Sequence, residues 1–257
     1  MPVGSQEAGS STYQAIVLRR KDSGESDRRL TLLTRELGKI DVVAKGAKKA
    51  ASRLAGSSDP LSVSKLTLAK GKVNQFVTQT QPLKSFRGLR ADYDRLSLAL
   101  ALTELYSSIL PWGEPNEEVF DLLIGSLEHL EAHPRPVVAM VWAELKLMEE
   151  SGYLPPFDRC VLTDQPVKEA EPWVSPMAGG YIVLEETIQF SDCVQTKAEV
   201  LFGLARTAEQ SEPPANLKFC DEALILLSRF WEHIIDAPLP ANSAVKTELR
   251  HMHLNGG

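Results

Sequence analysis

The sequence carries few of the signatures that would place it outside the cell, in a membrane or among enzymes. Its three cysteines, Cys160, Cys193 and Cys220, are odd in number and far apart in 257 residues, which argues against a disulfide framework and fits a reducing compartment. The apolar runs, such as Leu98 to Leu102, are far shorter than the roughly 20 residues needed to cross a bilayer. Residues 1–12 are small and polar, so we expect no signal peptide, a disordered N-terminal tail and a cytoplasmic location.

Catalytic and metal-binding motifs are missing as well. The chain has no glycine-rich phosphate loop, no GxSxG elbow and no cysteine with a plausible histidine partner. His129 and His133 lie four apart on a predicted helix, where a solvent-facing pair is a commoner arrangement than a metal chelate. His251 and His253 fall in a stretch that reads as a fraying C-terminal tail. We therefore predict a protein without enzymatic activity, metal or cofactor.

What the sequence does contain is a sharp division of charge. The composition, with 43% hydrophobic and 24% charged residues, is that of a globular chain with a buried core, and the length suits two domains. Residues 1–95 carry 18 Lys and Arg against 9 Asp and Glu, whereas residues 96–257 carry 10 against 25. A basic segment joined to an acidic one indicates a module that faces an anionic ligand, attached to a body with another task.

Residues 13–85 read as five short strands separated by turn signals. The predicted strands are Tyr13 to Arg20, Arg28 to Thr34, Lys39 to Lys45, Leu61 to Ala69 and Val73 to Gln81. Five strands in so short a stretch indicate a closed barrel of the oligonucleotide/oligosaccharide-binding (OB) type, with an SH3-like barrel as the nearest competitor.

The third predicted strand shows the alternation of a half-buried sheet. Ile40, Val42 and Ala44 fall on one face, whereas Lys39 and Lys45 fall on the other. This period of two is typical of a strand with one side in the core and one in water. We therefore expect both lysines to belong to a cationic outer face.

From residue 86 onward the apolar residues recur with the period of a helix. Such amphipathic helices bury their stripes against each other as a bundle. The five stripes begin at Leu98, Val119, Val138, Val200 and Leu224. Residues 153–191, which are rich in proline and contain the pair Gly179-Gly180, interrupt the pattern as an irregular insertion. The predicted fold is thus α+β and multi-domain, with an OB barrel at 13–85 and a helical bundle domain at 86–257.

The candidate binding residues are the cations of the predicted barrel. Each Lys or Arg near a phosphate releases a counterion, so several together give affinity for nucleic acid that does not depend on base sequence. The small residues of the loop Lys45 to Lys49 would let a phosphate backbone approach closely. Any single one of these cations is about as well explained as a solvated surface charge. The whole set, however, favours contact with nucleic acid. The set is Arg19, Arg20, Lys21, Arg28, Arg29, Lys39, Lys45, Lys48, Lys49, Arg53, Lys65, Lys70, Lys72, Lys84 and Arg87.

Aromatic residues of the same region could stack on unpaired bases. The candidates are Tyr13, Phe76 and Phe86. Each of these residue types is more often part of a core than a stacking platform, so none of the three is assigned to the binding set.

Several segments closely resemble the opening of one known family. They are Ala15-Ile16-Val17-Leu18, Gly24-Glu25-Ser26-Asp27, Leu32 to Lys39 and Ala44 to Lys49, with looser similarity through Pro60-Leu61, Leu98 to Leu110, Glu149 to Leu154 and Leu224 to Leu249. On these residues the chain resembles the bacterial recombination mediator RecO family. The resemblance implies an N-terminal OB barrel followed by a helical domain with an inserted zinc-finger-like element.

The resemblance also implies a function and partners. Members bind single- and double-stranded DNA and anneal complementary strands. With RecR they help to load the RecA recombinase onto DNA covered by single-strand-binding protein, in RecF-type repair. The resemblance therefore implies DNA, RecR and single-strand-binding protein as partners, and a place near the nucleoid.

The zinc-finger-like element departs from the family pattern. Many members carry two CxxC pairs in it. Here Cys160 matches the first ligand and Thr163 replaces the second, while Val183 and Glu186 stand where the other pair would fall. Thr163 cannot substitute as a zinc ligand. We therefore expect a degenerate element that folds without zinc, held by Phe157, Trp173, Tyr181 and Ile182.

Two other functions remain open on the residues alone. The barrel could bind an acidic partner peptide, such as the C-terminal tail of single-strand-binding protein, and hold DNA only indirectly. It could also belong to an RNA-associated factor, because phosphate contacts do not distinguish RNA from DNA.

Overall fold

The structure is a computed structural model that describes residues 10–49 and 51–255. It forms two compact units, one of the residues up to Arg87 together with Leu110–Asp121, and one of Gly88–Ile109 together with the residues from Leu122 onward. Of the predicted N-terminal tail, residues 1–9 lie outside the described part, and Ser11 already begins a strand. No helix within the described ranges is long and apolar enough to span a membrane.

The first unit is a closed barrel of five strands. They are β1 (Ser11–Ser23), β2 (Asp27–Thr34), β3 (Gly38–Ala44), β4 (Val63–Lys70) and β5 (Gln75–Lys84), and the short helix α1 (Leu54–Ser57) lies between β3 and β4. The strand order is β1-β2-β3-β5-β4, with antiparallel pairing except between β3 and β5. Closure leaves no sheet edge exposed, and the arrangement confirms the predicted OB-type barrel.

Alternate residues of the strands fill the barrel. The inward-facing set includes Ala15, Val17, Leu30, Leu32, Val42, Ala44, Leu66, Leu68 and Val77. The turn from β2 into β3 requires Gly38, which has a φ of +68°. A Cβ atom there would lie 2.1 Å from the backbone oxygen of Glu114, so a side chain at this position would displace the segment Leu110–Asp121 from the barrel.

The rest of the chain is mainly helical. The helices are α2 (Arg87–Ala91), α3 (Tyr93–Ile109), α4 (Glu117–Ala132), α5 (Pro136–Glu150), α6 (Ala198–Ala208), α7 (Cys220–Ile234) and α8 (Pro240–Asn255). The predicted apolar stripes are buried, as Leu102, Leu127 and Leu145 illustrate. The side chain of Asn116 accepts the backbone N–H of Val119 at 3.0 Å and thereby caps the start of α4.

The residues Pro240–Asn255 form α8, a helix that includes His251 and His253. Leu239, Val245 and Leu249 are buried. The carboxylate of Glu104 on α3 accepts the backbone N–H of Ala241, in the first turn of α8, at 3.1 Å. The helical pattern is hard to see in the sequence, since few apolar residues mark the buried side of this helix.

The insertion folds as a small three-stranded antiparallel sheet. Its strands are β6 (Trp173–Ser175), β7 (Gly180–Ile182) and β8 (Val194–Gln195), in the order β7-β6-β8, and a 3₁₀ helix (Leu184–Gln189) follows β7. Of the residues expected to hold it, Phe157, Tyr181 and Ile182 are buried and Trp173 is half-buried.

Candidate nucleic-acid interface

A bulge in β1 decides which of its cations face outward. Val17 is paired with Leu32 of β2, but the next pair is Arg19 with Thr31, so Leu18 is the extra residue of the bulge. Without this shift the alternation would place Arg19 on the same inner face as Val17. With it, Arg19 and Lys21 are exposed on the outer face of the barrel.

The outer face of β2 continues this cationic row. Arg29 lies directly opposite Lys21 of β1 and opposite Val43 of β3. Its Nη2 donates to Oδ1 of Asn74 at 3.2 Å, which ties the β4–β5 turn to β2. The turn is closed by the N–H of Gly71, which donates to the backbone oxygen of Asn74 at 2.8 Å. The exposed lysines Lys70 and Lys72 belong to the same hairpin, at the end of β4 and in the turn.

The end of β3 adds a cation that lies on an aromatic ring. Phe76 of β5 pairs with Val43, and the Nζ of Lys45 lies 4.1 Å from the centroid of the Phe76 ring. The ring also packs on the backbone of Gly71, where a Cβ would lie 2.4 Å from it. We call the surface formed by Arg19, Lys21, Arg29, Lys45, Lys70 and Lys72 the basic face.

Two other predicted site residues are held by a carboxylate. Arg20 and Arg28 both form ion pairs with Asp59. The Nη1 of Arg28 also donates to Oγ of Ser58 at 2.6 Å and to the backbone oxygen of Ala55 at 3.1 Å. These contacts fasten the segment around α1 to β1 and β2. The two arginines thus stabilise contacts within the barrel unit.

The loop after β3 folds back on the β1–β2 turn. The backbone N–H of Gly46 donates to Oδ1 of Asp27 at 2.8 Å, and the Nζ of Lys48 lies 2.9 Å from Oδ2 of Asp22. The first contact lowers the pKa of Asp27, and the second lowers the pKa of Asp22, so both carboxylates are charged at neutral pH. Lys49 is exposed at the same loop. The positive charge of this loop is therefore partly offset.

The expectation that Lys39 faces water is wrong. The residue is on the outer side of β3, as predicted, but only 3% of its surface is exposed. Trp112 covers it, with the Nζ of Lys39 4.6 Å from the ring centroid. Burial lowers the pKa of the Lys39 ammonium group. Alternation alone cannot predict this, because the covering residue comes from a distant part of the chain.

The remaining cations of the predicted set are spread around the unit. Lys65 is exposed on β4, opposite Gln14 and Gln81, and lies five residues, or about 17 Å, along the strand from Lys70. Lys84 is half-buried with its Nζ 4.9 Å from the centroid of Phe86. Arg53 and Arg87 are exposed, before α1 and at the start of α2 respectively.

Two residues that the sequence did not single out take part in this surface. Asn74 positions the β4–β5 hairpin, and Trp112 covers Lys39. The sequence offers one sign of this role of Trp112, which is a large aromatic residue between Pro111 and Gly113. The turn that these two residues form comes directly after α3. Among the aromatic candidates, Phe86 is buried and Tyr13 packs on the barrel core.

The inserted element contains the thiol of Cys160, which is buried. Burial alone would raise the pKa of the Cys160 thiol, but hydrogen bonds from the side chain of Thr163 and from the backbone of Leu162, Thr163 and Val183 lower it. Of Cys160, Thr163, Val183 and Glu186, only Cys160 has a thiol, and hydrogen bonds contact it; a structural zinc ion would need three further ligands. Among the residues that the structure describes, no group of three or more His, Cys, Asp or Glu side chains could hold a metal ion.

Comparison with known proteins identifies the family. The model described as Recombination protein O N terminal matches residues 10–86, and the model described as Recombination protein O C terminal matches residues 90–237. The chain belongs to the Recombination protein O (RecO) family. The match of the N-terminal model coincides with the barrel, and the match of the C-terminal model covers most of the helices.

Similar relatives carry the name DNA repair protein RecO. That of Heliobacterium modesticaldum is 40% identical over 173 residues, which cover 66% of this chain and 63% of the relative. That of Roseiflexus is 37% identical over 167 residues, which cover 65% and 59% respectively, and that of Gloeobacter violaceus is 35% identical over 178 residues, 68% of each chain. The chain therefore spans about three fifths of the length of the first two relatives.

Proposed function

We propose that this RecO-family chain acts in DNA repair and that its barrel binds the DNA through the basic face. The observation that carries the proposal is the shift of register in β1, which brings Arg19 and Lys21 into line with Arg29 of β2. The family relation supports the choice of ligand, because the relatives are named DNA repair proteins.

The chemistry of the face suits a phosphate backbone more than a particular base sequence. Its six side chains are exposed Lys or Arg, and each one that neutralises a phosphate releases a counterion. Such binding accepts single strands and duplexes alike, and it weakens steeply as salt rises. Lys and Arg can donate to guanine but offer no acceptor to the amino groups of adenine or cytosine, so these cations alone read little of a base sequence.

On the same basis we propose the finer activities that the family resemblance implies. The protein binds single- and double-stranded DNA and anneals complementary strands, since a surface that neutralises phosphates reduces the repulsion between two strands. With RecR it helps to load RecA onto DNA covered by single-strand-binding protein. The acidic residues of the C-terminal part, 25 Asp and Glu against 10 Lys and Arg from residue 96 on, suit protein docking rather than DNA contact.

The test is fluorescence anisotropy with labelled single-stranded DNA at several salt concentrations. A double charge reversal, Lys21→Glu with Arg29→Glu, should weaken binding and reduce the slope of log K against log salt by about 0.7 for each lost phosphate contact. The matched control reverses two exposed cations of the helical part, Lys168→Glu with Arg250→Glu, which changes the net charge equally. Equal losses in the two variants would contradict a localised site.

The same variants separate DNA binding from the peptide-adaptor alternative. If the barrel binds an acidic peptide and not DNA, the reversal at Lys21 and Arg29 abolishes binding of an acidic peptide while DNA affinity stays unchanged. Annealing is measured on complementary strands coated with single-strand-binding protein. An unchanged annealing rate in the reversed variant would contradict the proposed role of the basic face.

A further inference from the structure

One tryptophan of the barrel unit is exposed in a way that the others of the described chain are not. Trp112 exposes 57% of its surface, whereas Trp142 and Trp231 are buried. The indole N–H groups of the buried pair donate to protein acceptors, the backbone oxygen of Gln210 and the carboxylate of Glu144. Their rings serve the helical core. Trp112 covers Lys39 and still leaves more than half of its surface exposed, so a flat ligand has access to its ring.

The position of Trp112 is fixed by the barrel. Its backbone forms a bridge with Lys39 of β3, and the N–H of Gly113 donates to the backbone oxygen of Lys39 at 2.9 Å. A few residues further on, Arg35 holds the same segment with Nη1 and Nη2 at 2.7 and 2.8 Å from the two carboxylate oxygens of Asp121. The ring is therefore held in place before any ligand arrives, which lowers the entropy cost of binding.

One face of the ring is already occupied by a cation. The ammonium group of Lys39 lies 4.6 Å from the ring centroid and is itself buried. The exposed part of the indole is thus the part that does not contact Lys39. An aromatic surface with a cation on one side leaves a flat apolar surface on the other, which is the shape of a base-stacking platform.

The ring lies at one end of the basic face. Lys39 and Asp41 follow one another on the outer side of β3, and Asp41 pairs with Thr31, which in turn pairs with Arg19 of β1. The charge of Arg19 contributes to the pKa shift of Lys39, as expected for neighbours. From Lys39 to Lys45 the strand covers about 20 Å, so the ring and the cations lie along one path.

We propose that Trp112 stacks on an unpaired base of a single-stranded nucleic acid whose phosphates lie on the basic face. This inference rests on the proposed function and adds a preference for single strands. A duplex keeps the faces of its bases stacked inside the helix, so it offers phosphates to the cations but no base to the ring. Stacking tolerates any base, because every base has a flat aromatic face.

The experiment compares Trp112→Ala and Trp112→Phe with wild type on single-stranded and duplex DNA by anisotropy. Trp112→Ala should weaken single-strand binding by about 5- to 150-fold, the range for the loss of one stacked base, and Trp112→Phe by less. The duplex affinity should not fall, since no phosphate contact is lost, and in Trp112→Phe, where an aromatic ring still covers Lys39, the salt slope should stay unchanged. Tyr153→Ala, which removes an exposed aromatic residue of the helical part, is the matched control and should change neither.

Two further readouts tie the effect to stacking. Single-stranded DNA should quench part of the tryptophan fluorescence of wild type but not of Trp112→Phe. An oligonucleotide with abasic sites should bind wild type and Trp112→Ala equally well. Unchanged single-strand affinity in Trp112→Ala, or an equal loss on duplex DNA, would overturn the stacking role alone. Wild-type protein that binds neither form of DNA would overturn the proposed function as well.

Discussion

Carboxylates have different tasks in the barrel unit and in the helical unit. Two of the barrel's carboxylates lie beside cations: Asp59 pairs with Arg20 and Arg28, and Asp22 pairs with Lys48. In the helical unit, two buried or half-buried carboxyl groups accept hydrogen bonds from uncharged donors. Glu144 of α5 accepts the indole N–H of Trp231 at 3.1 Å, and Glu104 of α3 accepts backbone N–H groups of α8.

This difference separates stability from binding. A carboxylate that accepts uncharged donors between packed helices contributes to folding, and its loss leaves buried donors without an acceptor. An exposed carboxylate beside a cation contributes little to stability, because water and salt screen the pair. It still lowers the positive charge that a polyanion meets. Substitutions in the helical unit should therefore change the free energy of unfolding, whereas those in the barrel should change DNA affinity.

The largest effect is expected at Glu144. Burial raises the pKa of this carboxyl group from its ordinary 4.5 to about 8, although the bond from Trp231 favours the charged form. Between these values the folded protein keeps a proton that the unfolded chain releases. Stability is therefore lost as pH rises from 4.5 to 8, by on the order of 5 kcal/mol over the whole window.

Urea denaturation of wild type and Glu144→Gln between pH 5 and pH 8 measures this loss. The amide keeps an oxygen for the Trp231 indole but does not titrate. The difference in unfolding free energy between the two proteins should therefore change steadily with pH in favour of the variant. Parallel curves would show that Glu144 titrates normally and that its burial is not maintained in solution.

A smaller effect is expected at the contact between α3 and α8. Glu104 accepts the N–H of Ala241 at 3.1 Å and, through its other oxygen, the N–H of Asn242 at 3.0 Å. A carboxylate at this place caps the helix and complements its dipole. Glu104→Ala should cost about 1–2 kcal/mol of unfolding free energy. Glu104→Gln keeps an acceptor and should cost less; equal losses by thermal or urea denaturation would contradict the capping role.

The fold could be predicted from the sequence wherever the pattern is local. The alternation in β3 and the apolar stripe of α5 each predict their own secondary structure. Patterns of the same kind predict the other strands of the barrel and most of the helices. The helix α8 does not, because its place depends on Glu104, more than a hundred residues earlier in the chain.

The candidate site divides in the same way. The sequence identifies the cationic residues. It does not show which of them lie on the same face of the barrel. A single bulge at Leu18 reverses the side on which Arg19 lies, and no local signal marks it. The ion pairs of Asp59 and the cover of Trp112 over Lys39 join residues distant in the chain, so the sequence overestimates the number of cations that are available to a ligand.

The smallest effect, and the one that tests the barrel side of the comparison, is expected at Asp22. Its Oδ2 lies 2.9 Å from the Nζ of Lys48 on the exposed loop, and this contact lowers the pKa of Asp22. Asp22→Asn would release Lys48 for a phosphate, so single-stranded DNA should bind more tightly and the salt slope should steepen by about 0.7. Asp158→Asn, which removes an exposed carboxylate paired with Arg159 in the inserted element, is the matched control and should leave the slope unchanged. If both variants raise affinity equally, the net charge of the whole chain would govern binding, and the pairing of carboxylates with cations in the barrel would have no particular role.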